Sequence, residues 1–467
     1  RDAIELYQKA VDADPGLASA PEQRGINLLR DNQMTRARQL LVRASELDPF
    51  SPRAVNTLRL MDSYSTFRLV EDLPETAGEV PVVLRLHESE STAIAPYAIE
   101  LTRDSIDVFT RRYGYELREP VIIEMYPDHE DFAVRTAGMP GLGILGATFG
   151  YLIAMDSPSG RPAHQFQWGT TLWHEMAHVF TLEATDHLVP RWYSEGISVF
   201  EEWRSGPNPG VRIPMSVYSA MKDDRYMPVA SLDEGYLRPT YEQQVIVSYM
   251  QAGLVCDYID RHHGAGKLRD LLIAYRDGLK TGEAILAVLG VEPETFDAGF
   301  AAFVAAEHGP VLEQLDHWSH TQANIAGKIA AEEWQDVITL AGSLVEIIPQ
   351  YVEPDSPYLA LAKAHDASGD RAAALEALET FWRSGGYEPA ALRRLGNWLV
   401  EAGRDDDAIA VFNSINLVDP LDSELHGQLG DMLLGAGRAE EALREFEIAV
   451  SLQPHDMATA WYRLAQA

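Results

Sequence analysis

Apolar and small residues recur with a period of 34 along the C-terminal part of the chain. Leu395-Gly396, Ala408, Phe412, Ile415 and Pro420 return as Leu429-Gly430, Ala442, Phe446, Ala449 and Pro454. One period earlier stand Leu361-Ala362, Ala374 and Leu378, and the final MATAWYRLAQA opens a further unit. The spacing predicts two antiparallel helices per unit. Small residues at the Gly430 and Ala442 positions let the helices approach, Phe446 fills the groove between them, and Pro454 ends the second helix. The same spacings open the chain, as Gly25, Ala37, Leu41, Ala44 and Pro49, preceded by Ala3, Tyr7, Ala10 and Pro15. Arg1 therefore falls inside a unit, and the natural start is expected upstream. Between about 320 and 350 the pattern is degenerate but still helical.

These units resemble tetratricopeptide repeats, with one departure, His426 at a position usually filled by an aromatic ring. The resemblance implies surfaces that hold a peptide or protein partner. The plainer alternative is a structural frame or an oligomer interface.

From about 80 to 310 the period disappears and strand signals replace it. VPVVLRLH (80–87) and PVIIEMYP (120–127) are short apolar runs rich in β-branched residues, each followed by a helical stretch. GATFGYLIAMDSP (146–158) reads as another strand behind a glycine-rich loop, GMPGLGILG. A helix, WGTTLWHEMAHVFTLEA, follows, and YEQQVIVSYMQAGLVCDYIDRHHG (241–264) reads as a second long helix.

Charge narrows the choice of partner. The formal charge is −33, from 71 acidic against 38 basic residues, which repels nucleic acid and anionic membranes. No run of about 18 apolar residues is present, so no membrane span is expected. The first residues lack the basic start and apolar core of a signal peptide. The single cysteine, Cys256, sits in an apolar helical stretch and reads as a small buried side chain rather than a thiol nucleophile.

The candidate chemistry lies in the first of the two long helices. His174, Glu175 and His178 form an HExxH motif; histidines at i and i+4 share one helical face and reach one ion. Glu175 stands beside them, placed to take a proton from a metal-activated water. Leu172, Met176, Ala177, Val179 and Phe180 make the helix largely buried, and buried imidazoles beside a buried carboxylate call for a cation. A catalytic zinc needs a third protein ligand. Glu195, 17 residues after His178 in PRWYSEGISVFEEW, is the favoured candidate, with Glu201 and Glu202 as competitors. His187 is a weaker candidate, since it lacks the preceding glycine that a metzincin turn requires. Asp156 and Asp186 are candidates for orienting a ligand imidazole. His262 and His263 are expected to cap the second long helix.

The HExxH helix completed by a glutamate on the next helix resembles the gluzincins. Trp192, Glu195 and Gly196 look like the peptidase MA-like family, often fused to tetratricopeptide repeats. The resemblance implies an α+β zincin-like catalytic domain at 65–315, between all-α repeats at 1–64 and 316–467. It implies one Zn2+ per chain on His174, His178 and Glu195, and Glu175 as general base. Tyr249 stands at the family's tyrosine position as a candidate oxyanion donor, with Tyr241 as its rival. The strand at 146–156 would receive an extended peptide or protein substrate, and the glycine-rich loop would act as a lid. The family also suggests an extracytoplasmic bacterial location. A rival reading is a non-catalytic repeat scaffold carrying a vestigial or regulatory metal site; another is a peptidase whose repeats occlude the cleft until a partner docks.

Overall fold

The computed structural model describes residues 2–74, 79–162 and 166–467. Four helices open it: α1 (Asp2–Ala13), α2 (Ser19–Arg30), α3 (Met34–Leu47) and α4 (Pro52–Ser63). Gly25 on α2 lets Leu41 of α3 close in; a methyl group there would lie 2.8 Å from Leu41 Cγ. Arg1, which the repeat pattern covers, lies outside the described residues.

A five-stranded sheet follows, in the order β1-β2-β3-β5-β4. It comprises β1 (Phe67–Asp72), β2 (Val82–His87), β3 (Val121–Tyr126), β4 (Gly146–Phe149) and β5 (Leu152–Asp156). Strands β2, β3 and β5 are parallel, joined through α5 (Ser91–Tyr113) and α6 (His129–Ala137). The apolar runs at 80–87 and 120–127 form β2 and β3. The segment read as one strand at 146–158 is instead a tight hairpin. Gly150, at φ +66°, turns the chain there, a conformation costly for other residues. β1 also joins the sheet; its sequence, FRLVED, is too polar and too exposed to carry a core-strand signal.

Helices α7 (Trp168–Ala184) and α8 (Arg191–Ser205) pack together beside the β4–β5 hairpin. After them come α9 (Met215–Lys222), α10 (Glu234–Leu237), α11 (Gln244–His263), α12 (Gly266–Arg276) and α13 (Thr281–Leu289). Helix α14 (Pro293–Ala330) runs unbroken through the boundary expected at 315/316, so the chain enters the C-terminal repeats without a linker. These repeats are α15 (Trp334–Ile347), α16 (Pro357–Ala367), α17 (Arg371–Arg383), α18 (Pro389–Glu401), α19 (Asp405–Ile415), α20 (Ser423–Gly435), α21 (Ala439–Ser451) and α22 (Met457–Leu464). Among the described residues, no helix is long and apolar enough to cross a membrane.

The repeats are bound into the central unit at both ends. Arg135 on α6 is fully buried, pairs with Glu124 at 2.6 Å and donates to the Leu29 carbonyl of α2 at 3.0 Å. At the other end, Ile448 of α21 and Ala360 and Ala364 of α16 belong to the same apolar core as the sheet and α7. His426 is fully buried: Nδ1 meets Glu445 at 2.7 Å and Nε2 the Pro420 carbonyl at 2.8 Å. Tyr97 of α5 donates to the same Glu445 carboxylate at 2.9 Å. The departure from an aromatic residue at 426 thus serves the seam with α5.

Within the C-terminal repeats, a methyl group at Gly430 would lie 2.4 Å from the Phe446 ring. Gly430→Ala is expected to destabilise the protein by about 1–3 kcal/mol through overpacking. The cost should shrink in a Phe446→Leu background, as thermal unfolding of the four forms will show.

Candidate metal centre

Helix α7 carries only apolar and small side chains on its core-facing side, and this fixes which side faces the cleft. Its residues Leu172, Met176, Ala177, Val179 and Phe180 are wholly buried, so His174 and His178 share the opposite face, one turn apart. Their Nε2 atoms stand 3.1 Å apart. Helix α8 brings Glu195 across, with Oε2 3.1 Å from His178 Nε2 and 3.4 Å from His174 Nε2. This close approach depends on Gly196, where a methyl group would meet the Ala252 carbonyl of α11 at 2.7 Å.

Both imidazoles are held from behind. His174 Nδ1 donates to the Glu202 carboxylate at 2.5 Å. His178 Nδ1 contacts Ser194 Oγ at 2.8 Å, and Ser194 in turn contacts Thr181 Oγ1 at 2.6 Å. With Nδ1 engaged on each ring, the two Nε2 atoms turn toward one point. Glu195 Oε2 is buried and has no hydrogen-bond partner of its own.

The electrostatics agree with that arrangement. Burial alone would raise the Glu195 carboxyl, but His178 and His174 hold it well below the carboxylate range. Burial alone would lower His174, but the nearby Glu195 carboxylate and the bond to Glu202 raise it well above the usual imidazole range. Without a metal these shifts describe an imidazolium–carboxylate pair, and a divalent cation would take the place of the imidazole proton. For a tetrahedral ion with ligands at about 2.0–2.1 Å, adjacent donor atoms lie about 3.3 Å apart. The three separations of 3.1, 3.1 and 3.4 Å fit that size, and one carboxylate with two neutral imidazoles suits zinc.

Glu175 lies on the same helix, against the sheet edge. Thr148 of β4 donates to its Oε2 at 2.6 Å, and a methyl group at Gly146 would lie 2.5 Å from Oε1. Tyr249 on α11 places its hydroxyl 3.2 Å from Glu195 Oε1, where Arg191 Nε also stands at 3.3 Å. Burial, then the Glu195 charge, pushes the Tyr249 phenol far up, so it stays protonated. These groups line one cleft of about 890 Å³, whose far wall includes Val352, Glu353 and Tyr387 from the C-terminal repeats.

The other candidates lie elsewhere. Glu201 is fully buried and bound to Arg112 and Tyr113, on the side of α8 away from the histidines. Glu202 orients His174 and is absent from the triangle of Nε2 and Oε2 atoms. His187 is largely exposed and pairs with Glu183 at 3.4 Å. Asp156 serves His129 and Arg161, at 3.0 and 2.7 Å, and neither it nor Asp186 touches a ligand imidazole. Tyr241 stacks under Arg225, outside the cleft lining. His262 and His263 close the last turn of α11, and Cys256 is buried and free. The glycine-rich loop lines the cleft but is fastened: the Leu142 carbonyl lies 2.7 Å from His129 Nε2, and the Ile144 carbonyl accepts from Arg161 at 3.4 Å.

Sequence reasoning passed over the orienting roles of Ser194 and Glu202, and the contact of Thr148 with Glu175. Glu202 carried a usable signal, since it stands two helical turns past Glu195 and so shares its face. Thr148 carried none, because only the hairpin brings it to α7.

Residues 156–306 match the Peptidase MA superfamily, and residues 359–415 match the tetratricopeptide repeat. No curated protein matches the chain in sequence. The chain is therefore a mixed helical protein with a small five-stranded sheet, carrying a peptidase MA superfamily domain and tetratricopeptide-like helices.

The neighbouring acids at 201 and 202 should behave differently. Glu201→Ala strands Arg112 and Tyr113 and is expected to cost about 3 kcal/mol. Glu202→Ala, at the cleft, should cost less than about 1 kcal/mol. Urea unfolding of the two variants distinguishes them.

Proposed function

We propose that the protein is a zinc-dependent peptidase of gluzincin type, with a zincin-like α+β core spanning about 65–315 between the repeat segments. The observation that carries this reading is the convergence of His174 Nε2, His178 Nε2 and the unpartnered Glu195 Oε2 on one point beside Glu175. Ser194 and Glu202, behind the rings, fix the tautomers that leave both Nε2 lone pairs free.

When bound, zinc would supply Lewis-acid polarisation of a scissile carbonyl and acidification of a water. The chain's own residues do the rest. Glu175, steered by Thr148, accepts the proton of the attacking water and later delivers it to the leaving amine. Tyr249 keeps its proton and, on turning from Glu195 Oε1, donates a hydrogen bond to the developing oxyanion while Arg191 retains Glu195. Arg191 and Tyr249 hold Glu195 from its second oxygen. Strand β4 is the open edge of the sheet, and an extended substrate can add there as a further strand alongside the metal helix. The repeats offer surfaces for a protein partner, and the strong negative charge disfavours nucleic acid.

The test is hydrolysis of a quenched-fluorescent peptide mixture by Glu175→Gln. The expected result is a loss of about 10²–10⁴ in kcat with zinc content retained. Tyr249→Phe should lose about 10², in kcat rather than KM. Unchanged turnover in Glu175→Gln would remove Glu175 as the base, and a wild type that binds peptides without hydrolysing them would favour the scaffold reading.

A further inference from the structure

Gln167 and Tyr387 line the metal cleft and also line a second cavity of about 490 Å³, so the two spaces adjoin at these side chains. The second cavity occupies the seam between α5 and the C-terminal repeats. Gln167 immediately precedes α7 and stands seven residues before His174, which puts the junction about 10 Å along the helix axis from the ligand histidines. An extended chain covers that distance in about three residues.

The seam has the chemistry of a polypeptide site. Trp382, Leu392 and Leu417 give it apolar walls. Asn413 lines the wall, and its Oδ1 is buried with no hydrogen-bond partner. Its arginines are already engaged: Arg438 by Glu441 at 2.6 Å, Arg444 by Glu445 at 2.9 Å and Arg383 by Glu379 at 3.2 Å. Asp104 of α5 faces the same space, and among the described residues it has no ion-pair partner. The lining itself balances, Glu100, Asp104 and Glu441 against three arginines, so a preference for a neutral or basic segment comes from the excess of acid across the whole chain.

We infer that this seam is a substrate subsite holding an extended, neutral or basic stretch of polypeptide a few residues from the scissile bond. It rests on the peptidase reading above and deepens it: the substrate is a long unfolded chain cleaved internally, and the repeats form part of the substrate channel. Two walls from different modules enclose the segment, so the repeats contribute binding energy only once the chain is long enough to reach them.

The experiment uses the full chain and Ala410→Trp. Ala410 lies on the exposed side of α19 and lines the seam, so the indole fills the cavity without entering the repeat core. Peptides of about four and about twelve residues, the longer with a basic distal half, are compared by kcat/KM. The expected result is a fall of about tenfold on the long peptide, carried by KM, with the short peptide and zinc content unchanged. Equal losses on both peptides, or no loss on either, would overturn the subsite. If the wild type cleaves neither peptide, the peptidase reading fails by itself. The seam is then judged by fluorescence anisotropy of the labelled long peptide on Glu175→Gln, with and without Ala410→Trp. About tenfold weaker binding with the indole supports the seam, and equal binding rejects it.

Discussion

A buried carboxylate that faces two imidazole nitrogens at 3.1 and 3.4 Å is the constraint on which the central part of this protein turns. With no metal bound, a proton held on the imidazoles offsets the burial of the carboxylate, as the raised His174 and lowered Glu195 show. The surroundings do not spread the groups apart. They hold them together, through the Ser194 and Glu202 contacts behind the rings and through Gly196, whose lack of a side chain lets α8 press on α11. The donor set and its dimensions suit a zinc ion.

The same economy of space governs the sheet edge and the seam. Gly146 leaves room for Glu175 against β4, and the hairpin brings Thr148 onto its carboxylate. At the start of α7, Trp168 Nε1 donates to the Asn416 carbonyl at 2.9 Å, and Asn416 donates to Tyr97 at 2.6 Å. Tyr97, Glu445 and His426 continue that buried network into the last repeats. Helix α7 is therefore anchored at its first turn by the C-terminal repeats. A buried polar network of this kind, satisfied except at Asn416 Oδ1, fixes orientation more than it adds stability. It gives the repeats a structural claim on the site beyond the recruitment of a partner.

Legibility in the sequence followed the range of the physical signal. The repeats were readable because each unit restates the same contacts at a fixed spacing, and Gly430 against Phe446 is one such contact seen from both sides. β2 and β3 were readable because each is a short run rich in apolar and β-branched residues, broken chiefly by Arg85 and Glu124, which pair with each other. The HExxH pair was readable because its geometry is local to one helix. β1 and the split at Gly150 were not, since an exposed edge strand and a two-residue turn leave weak patterns. Choosing among Glu195, Glu201 and Glu202 needed the family resemblance, because residues 201 and 202 are adjacent yet point to opposite tasks. The part played by Val352, Glu353 and Tyr387 in the cleft wall was beyond reach, since it depends on how the repeats fold back on the core.

The most direct test of the central claim is elemental analysis of the purified full chain, beside His174→Ala and Glu195→Ala, after equilibration with zinc and removal of the excess. The account predicts about one zinc per chain in the wild type and less than about a tenth of that in either variant. A wild type that holds no zinc, or a Glu195→Ala variant that holds as much as the wild type, would contradict it.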